Sequence, residues 1–356
     1  MLRRLTLKPR WAKQRARRGS EHCSFFGSCV ERRTILKICI FGAGAVGGHL
    51  AARLAASGQD VSVVARGAQL AAIHDKGIVL QSGEQRIQAR VRASAHPSEL
   101  GPQEIVLVTL KATGLASFAL AAAPLLGPDT AVVFAQNGVP WWYAQGLSPA
   151  RPRPPDLSRL DPGGVLARTI AAERVVGGVI YSANTTVEPG VISNATPGNN
   201  RLVLGETDDR PSARLDALRA ALVQAGLGSP PVADIRREVW HKILFNLGSG
   251  LGALAEQTGQ VMMADPALAA IAARLVDEGV AIAAAHGVVL EPVKTSALAH
   301  KPSILQDYEL GRPMEVEALL QAPLAFARAA GVAAPILQVV AALVAHRAAV
   351  RGLYVR

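Results

Sequence analysis

The sequence predicts an α/β fold, in which a domain with a doubly wound parallel sheet is followed by an all-helical domain. Three observations lead to this expectation. A short apolar strand runs into a glycine-rich turn and an amphipathic helix, two further strand-to-helix junctions follow, and from about residue 233 onward Ala- and Leu-rich segments repeat at helical spacing. With 356 residues, of which 50% are hydrophobic, the chain can build two cores of ordinary domain size. We place the two domains at residues 35–232 and 233–356.

Residues 1–34 precede the first predicted strand and carry most of the positive charge. They contain ten Arg or Lys residues against two Glu, so that +8 of the net charge of +11 lies in this segment. Such a composition would suit an organelle transit peptide or an arm that binds polyanions. We interpret the segment instead as a basic, disordered extension, or as translation from an upstream start codon, with no role in the chemistry. We expect no specific nucleic-acid partner.

The remaining composition argues against several classes of protein. No apolar run within residues 1–34 reaches the length of a signal-peptide core, and no later segment reaches the roughly 18 apolar residues of a membrane span, so we expect a cytoplasmic protein without a membrane partner. Cys23, Cys29 and Cys39 have neither the spacing of a disulfide framework nor that of a zinc site, and the eight His residues form no HxH or HExxH pattern. We therefore predict no metal site.

The first element is a βαβ unit with a glycine-rich turn. The mostly apolar strand "ILKICIF" leads into "GAGAVGGHLAARLAASG" and then into a second strand, "DVSVVAR". Gly42 permits the tight turn, Gly44 leaves room for a pyrophosphate against the backbone, and Gly47 lets the helix lie close to the strand. We expect a Rossmann-type domain in which the helix N-terminus faces the phosphates of a dinucleotide. The phosphate-binding turn would consist of Gly42, Ala43, Gly44, Ala45, Val46 and Gly47.

Arg66 stands at the end of the second strand, where this fold selects between the two nicotinamide dinucleotides. An Asp or Glu there would accept hydrogen bonds from the adenosine ribose diol, whereas a cation favours a 2′-phosphate. We therefore predict NADP, used as NADPH, as the cofactor. The alternative is NAD, with Arg66 as an ordinary solvated side chain on the surface.

Two further apolar strands, at residues 105–110 and 131–136, lead directly into Lys111 and Asn137. Parallel strands joined by crossover helices present their carboxyl ends on one edge of the sheet, the edge that also holds the glycine turn. Lys111 and Asn137 are thus predicted to converge on the reactive end of the cofactor. The alternative is that each is only a loop residue or a turn former.

An aromatic cluster of Trp141, Trp142 and Tyr143 follows Asn137. Next to a cofactor edge it would form a cap or a pocket wall, while a buried corner and a contact between the subunits of a homodimer are equally compatible with the sequence. After a Pro-, Arg- and Gly-rich loop, the segments between residues 174 and 206 alternate in the manner of strands with Pro-Gly turns. We interpret them as a meander that closes the first domain.

From about Asp234 onward the pattern becomes helical. Long Ala- and Leu-rich segments at helical period are broken at Gly and Pro residues, which predicts a bundle of five or six helices beside the sheet domain.

The first of these helices, within residues 237–254, is largely apolar but carries a line of polar residues. Lys242, Asn246 and then Ser249 or Gly250 follow one another at helical spacing. Buried polar groups need partners, and a bound substrate is one candidate, although the lysine could instead reach water along its aliphatic stem. The chain has 8 Lys among its 38 basic residues. A lysine is informative here because Lys, unlike Arg, can release a proton near neutral pH.

The segments "IFGAGAVGGHLAARLA", "VLVTLKA", "QNGVP", "IRREVWHKILFN" and "HKPSILQDYELGRPMEVEAL" occur in this order. Together they resemble the ketopantoate reductase (2-dehydropantoate 2-reductase) family over about residues 35–350. The resemblance implies a doubly wound NADP domain, an all-helical domain and an active site in the cleft between them. It places Lys111 and Asn137 near the nicotinamide end of the cofactor and Arg66 at its 2′-phosphate.

The resemblance also implies a reaction and roles for residues of the second domain. The reaction is hydride transfer from NADPH to the ketone carbon of a 2-oxo acid. The substrate that the resemblance implies is ketopantoate, which is reduced to pantoate in pantothenate biosynthesis. Lys242 falls on the general-acid lysine of the family, and Asn246 on the asparagine that holds this lysine and the substrate. Glu315 falls on the active-site glutamate, which we also expect to orient Lys242, and Ser303 on a serine that contacts the substrate carboxylate.

One stretch departs from the pattern of the family. The family usually has a further asparagine for the substrate hydroxyl two turns after the lysine, whereas this chain reads Ser249-Gly250-Leu251, so that Gly250 would have removed that contact. Ser249 could supply the missing substrate contact, or the pocket could accept a bulkier or less polar 2-oxo acid. Two other interpretations stay open: an opine or 3-hydroxy acid dehydrogenase of similar build, and a non-catalytic NADP-binding sensor of redox state. A sensor would not require the set of Lys242, Asn246, Ser303 and Glu315.

Overall fold

The computed structural model describes residues 34–293 and 299–355, and Ile35–Arg356 cluster into one compact unit. The prediction of a disordered extension therefore falls, except for Thr34, outside the described residues. In the described part of the chain, no helix is long and apolar enough to cross a membrane. Nor do three or more His, Cys, Asp or Glu side chains of that part group in a way that could hold a metal ion.

Two sheets hold the strands of the first domain. The strands are β1 (Lys37–Phe41), β2 (Asp60–Val64), β3 (Ile78–Ser82), β4 (Gln85–Ala89), β5 (Arg92–Ser94), β6 (Gln103–Val108), β7 (Leu126–Phe134), β8 (Val175–Tyr181), β9 (Asn184–Glu188), β10 (Val191–Asn194) and β11 (Arg201–Glu206). The main sheet has the order β11-β8-β7-β6-β1-β2-β5, with β11 antiparallel to β8 and every other neighbouring pair parallel. Its helices are α1 (Ala45–Ala56), α2 (Gly67–Lys76), α3 (Leu115–Ala121), α4 (Val165–Thr169) and α5 (Ala213–Gln224).

The strand order of the main sheet reverses at β1, as it does in a doubly wound fold. β2 pairs with one edge of β1 and β6 with the other, both in parallel. A crevice therefore opens at the carboxyl ends of these strands, which is where such sheets bind their ligands. The successive residues Cys39 and Ile40 of β1 point to opposite faces of the sheet and are both fully buried, which agrees with a central strand covered on both faces.

The second sheet corrects our interpretation of residues 174–206 as a simple meander. Its order is β4-β3-β10-β9, so that β10 pairs with β9 in a hairpin and in parallel with the distant β3. The sheet packs on α1, where a Cβ at Gly48 would lie 2.7 Å from Ile192 Cγ1. Local alternation predicted the strands, but the pairing of β10 with β3 joins segments about a hundred residues apart. Such a contact leaves no local signal in the sequence.

The second domain is helical, as the sequence predicts. Its helices are α6 (Ile235–Ala255), α7 (Gly259–Ala264), α8 (Pro266–Ala285), α9 (Ser303–Glu309), α10 (Ala322–Ala329) and α11 (Pro335–Val350), with a π-helical turn at Glu317–Gln321 before α10. Asp234 caps α6, since its Oδ1 accepts the N–H groups of Arg236 and Arg237. The long helix α6 lies within the bundle and carries the predicted polar line.

The aromatic cluster at residues 141–143 is a buried corner rather than a pocket wall. All three side chains are at most 8% exposed. Tyr143 Oη accepts the indole N–H of Trp240 at 2.8 Å, and Trp240 meets Phe326 edge-on at 5.3 Å. Arg236 is fully buried and donates from Nε to the carbonyl of Tyr143 at 2.9 Å. The corner thus joins the loop after β7 to α6 and fixes the two domains against one another.

Candidate active site

A cleft of about 1100 Å³ lies where the carboxyl ends of the parallel strands meet α6 and α9. The predicted site residues that line it are Gly42, Ala43, Gly44, Ala45, Val46, Arg66, Lys111, Asn137, Lys242, Asn246, Ser249, Ser303 and Glu315. Gly47 lies beneath the turn. Residues separated by more than two hundred positions in the chain therefore share one cavity between the two domains.

The glycine turn has the geometry that a close ligand requires. Gly42 has a φ of +107°, which side-chain-bearing residues rarely adopt. A Cβ at Gly47 would lie 1.9 Å from the carbonyl oxygen of Gly42, so only glycine lets α1 approach the turn this closely. At Gly44, by contrast, a Cβ would meet nothing within 4 Å, and this position is open toward the cleft. The N-terminus of α1 has no side-chain cap and no acidic residue in its first turn.

Arg66 lies two residues after the end of β2 and lines the same cleft as the glycine turn. Its side chain is exposed, and its Nη2 donates a long hydrogen bond of 3.4 Å to Ser117 Oγ. The residues between β2 and α2 are Ala65 and Arg66, so no carboxylate occupies the position that would accept a ribose diol. The charged side chain in this short connection is therefore a cation.

Two contacts connect the loop after β6 to the helical domain. Lys111 forms an ion pair with Asp307 of α9, whose side chain is 3% exposed. Glu315 is buried, and its Oε1 accepts the backbone N–H of Ala112 at 2.8 Å. Burial raises the pKa of both carboxyl groups. Lys111, which the sequence assigned only to the cofactor, thus also holds an acid of the facing domain.

The loop after β7 docks against the π-helical turn. Gly138 has a φ of +81°, and a Cβ there would lie 2.4 Å from the carbonyl oxygen of Ala318. The same carbonyl accepts the N–H of Val139 at 2.9 Å. Asn137, immediately before this contact, lines the cleft as predicted. Its position is therefore fixed by the packing of the following glycine on the second domain.

Lys242 points from α6 into the cleft and is the basic group whose environment is most unusual there. Its Nζ lies 5.0 Å from the centre of the Tyr181 ring. Burial, and after it the charge of Arg201, lowers the pKa of Lys242 to about 8. Within residues 34–293 and 299–355 we find no hydrogen bond from Lys242 to Asn246 or Glu315. The expectation that these two side chains orient the lysine is therefore not met in this structure.

The remaining predicted residues of the polar line differ in how they are held. Asn246 Nδ2 is buried beside the cleft and has no hydrogen-bond partner within the described chain. Ser249 lies one turn further along α6 and donates its hydroxyl to the carbonyl of Asn246. Ser303 is exposed to the cleft at the start of α9. Ser182 Oγ and His300 Nδ1, on two other residues that line the cleft, likewise have no hydrogen-bond partner within the described chain.

Gly250 does not face the cleft, and our interpretation of it as the site of a lost substrate contact is wrong. A Cβ at Gly250 would lie 3.1 Å from Val340 Cγ1 and 3.2 Å from Leu320 Cδ2, inside the helical core. The cleft is instead lined by Gly248 and Ser249. Spacing alone left Ser249 and Gly250 as equals on the polar line, because 3.6 residues per turn place either one near the same face.

The cleft residues that escaped the sequence analysis include Tyr181, Arg201, His300 and Asp307. Tyr181 ends β8, a parallel strand of the main sheet, so the rule that identified Lys111 and Asn137 would have identified it as well. His300 lies close enough to Lys242 that the lysine charge helps burial to lower the pKa of the imidazole. For Arg201 and Asp307 we see no signal in the sequence.

Comparison with known proteins identifies the family. A family model described as ketopantoate reductase PanE/ApbA matches residues 38–209, and its C-terminal counterpart matches residues 234–348. A 2-dehydropantoate 2-reductase from Mesorhizobium japonicum is 40% identical over 328 residues, which cover 90% of this chain and 100% of the relative. One from Halobacterium salinarum is 27% identical over 87% of this chain and 98% of its own.

Solved structures agree with this result. A protein of Ralstonia solanacearum superposes with a TM-score of 0.80 at 35% identity, covering 90% of this chain and all of the other. A 2-dehydropantoate 2-reductase from Geobacter metallireducens gives a TM-score of 0.72 at 27% identity, covering 87% of this chain and 99% of the other. With matching models across both domains and a 40% identical relative, the chain belongs to the ketopantoate reductase family of oxidoreductases that act on CH–OH groups.

Proposed function

We propose that this enzyme reduces a 2-oxo acid to the 2-hydroxy acid with NADPH, and that ketopantoate is its substrate. The observation that carries the proposal is the position of Lys242. It combines a pKa lowered to about 8 with a place on the wall of the cleft that the glycine turn also lines. A lysine in that state can give up a proton at working pH, which is what a developing alkoxide requires.

The residues of the first domain fit the proposed cofactor. The open face at Gly44 and the uncapped N-terminus of α1 offer backbone N–H groups to a pyrophosphate. Arg66 would pair with the 2′-phosphate, and Lys111 and Asn137 would lie toward the nicotinamide. When bound, NADPH supplies the hydride. The absence of a carboxylate after β2 is the feature that favours NADPH over NADH.

The helical domain would hold the substrate and move the proton. Lys242 donates a hydrogen bond to the ketone oxygen, stabilises the negative charge that forms there and delivers its proton. Asn246 contributes the amide N–H groups that lack a partner in the described chain. Ser303 also lines the cleft and would contact the substrate carboxylate. Glu315 has a raised pKa and accepts the backbone N–H of Ala112. In the proposed mechanism it anchors this loop of the first domain and does not orient Lys242.

A screen of NADPH oxidation over 2-oxo acids tests the proposal. Ketopantoate is compared with 2-oxo acids that lack its 4-hydroxyl group and with larger, less polar ones, each with NADPH and with NADH. We expect the highest kcat/KM with ketopantoate and NADPH. Preference for another 2-oxo acid would support the reductase and reject the substrate. Tight NADPH binding without turnover of any ketone would instead favour the redox sensor.

A further inference from the structure

Arg201 is a cleft-lining cation to which the proposed mechanism gives no part. It is the first residue of β11, where it pairs across the strands with Tyr181 of β8. Its Cζ lies 4.6 Å from the centre of the Tyr181 ring, and the Nζ of Lys242 lies 5.0 Å from the same ring centre. Two cations of the cleft therefore stand beside one aromatic ring.

The aliphatic part of the Arg201 side chain packs against the backbone at Gly228. Arg201 forms an isolated parallel bridge with Gly228, and a Cβ at Gly228 would lie 2.7 Å from Arg201 Cγ. Any side chain at that position would displace the stem. With its stem against Gly228 and its guanidinium over Tyr181, the arginine is positioned in advance, which lowers the entropic cost of binding a ligand.

Nothing in the described chain neutralises this guanidinium. Among residues 34–293 and 299–355, no ion pair and no side-chain hydrogen bond involves Arg201. The positive charge of Arg201 nonetheless acts on its neighbour, since it contributes to the lowered pKa of Lys242. A planar guanidinium in this situation matches a carboxylate, to which it can donate two parallel hydrogen bonds.

We propose that Arg201 binds the carboxylate of the 2-oxo acid while Lys242 meets the adjacent ketone oxygen. The inference rests on the proposed function and adds the group that selects acids over neutral ketones. The ketone and carboxylate of a 2-oxo acid occupy neighbouring carbon atoms, so two cations beside one ring match the two groups of the substrate. Once the carboxylate is bound, it offsets the Arg201 charge and favours the protonated form of Lys242, which is the form that donates.

Substitution of Arg201 tests the inference with a charged and an uncharged substrate. The kinetics of Arg201→Met and Arg201→Lys are measured with the best 2-oxo acid and with its methyl ester, using a Ki where the ester is not reduced. We expect Arg201→Met to raise the KM of the acid about 30-fold or more, in the range of a charge-assisted bidentate contact. The KM or Ki of the ester and the Kd of NADPH, followed by fluorescence, should stay within about twofold. Arg201→Lys should show an intermediate KM, because the positive charge remains but the planar guanidinium, which can donate two parallel hydrogen bonds, is lost.

Two further variants separate binding from structure. Arg210→Met removes an arginine whose side chain is 83% exposed outside the cleft, and should leave the KM of the acid unchanged. Gly228→Ala should displace the stem of Arg201 and raise the KM of the acid while sparing the ester. An unchanged KM of the acid in Arg201→Met, equal losses with acid and ester, or a raised Kd for NADPH would each overturn the inference. If the unsubstituted enzyme reduces no 2-oxo acid, the proposed function itself fails.

Discussion

Lys242 is the residue on which the proposed proton transfer depends. Lys242→Ala removes both the charge and the proton, and Lys242→Arg keeps a charge that cannot release its proton near neutral pH. We expect both variants to lose at least about a hundredfold in kcat, the scale of general acid catalysis, while the Kd of NADPH stays within a few fold. Retention of most of the kcat by Lys242→Arg would exclude proton donation. Loss of NADPH binding would make the lysine a structural or cofactor residue.

The pH dependence of the reaction follows from the same side chain. Lys242 must be protonated to donate, and its pKa is lowered to about 8 by burial and by the charge of Arg201. The kcat/KM of reduction should therefore be level below that pH and fall as the pH rises through about 8. In Arg201→Met the falling limb should move to higher pH, since a positive neighbour has been removed. A profile that stays level to pH 9.5 would contradict the assignment.

Arg66 is the residue to which we assign the proposed preference for NADPH. Its only side-chain hydrogen bond in the described chain is the long one to Ser117, so little else depends on its guanidinium. We expect Arg66→Ala to raise the KM of NADPH more than about tenfold, or about 1.4 kcal/mol, with little change for NADH. Initial rates with both cofactors check this. Equal losses with NADPH and NADH would mean that Arg66 does not read the 2′-phosphate.

Among the elements, α6 shows how one helix can serve two surfaces. Lys242 and Ser249 face the cleft, whereas Gly250 packs against Leu320 and Val340. Gly250→Asn would place a polar side chain in this core, and overpacking of that kind costs about 1–3 kcal/mol. We expect a lower urea midpoint of unfolding and an unchanged preference among 2-oxo acids. Improved ketopantoate turnover in a protein of unchanged stability would show that this position reaches the substrate after all.

At the scale of the whole molecule, most of the net charge lies outside the residues that the family models match. Residues 1–34 hold +8 of the net charge of +11, and the matched family models begin at residue 38. We expect a chain that begins at Thr34 to keep its thermal midpoint of unfolding and its kcat/KM. Both are measured beside the full chain at the same salt concentration, because the removed charges are screened by salt. A folded, soluble truncation with reduced kcat/KM would assign the segment a role in catalysis.

Much of the architecture could be predicted because it is encoded locally. The strand before Gly42, the glycine turn and α1 form one contiguous segment, and the φ of Gly42 and the tight contact at Gly47 are those the motif requires. The carboxyl-edge rule brought Lys111 and Asn137 into the cleft for the same reason, since parallel strands can end on one side only. Helical period likewise placed Lys242 and Asn246 on one face of α6.

Only the tertiary structure decided which distant residues meet. The ion pair of Lys111 joins it to Asp307, 196 positions away, and the stacking of Arg201 on Tyr181 depends on the antiparallel pairing of β11 with β8. Whether Gly250 faced the substrate or the core was likewise settled by the helices that pack around α6. The spacing of residues along the chain specifies which of them share a face of a helix or strand. Which residues cover that face depends on how the separate helices and strands pack. The sequence by itself therefore determined the fold class and the sheet edge that lines the cleft, and the packing of the two domains determined how the charges of the cleft are paired.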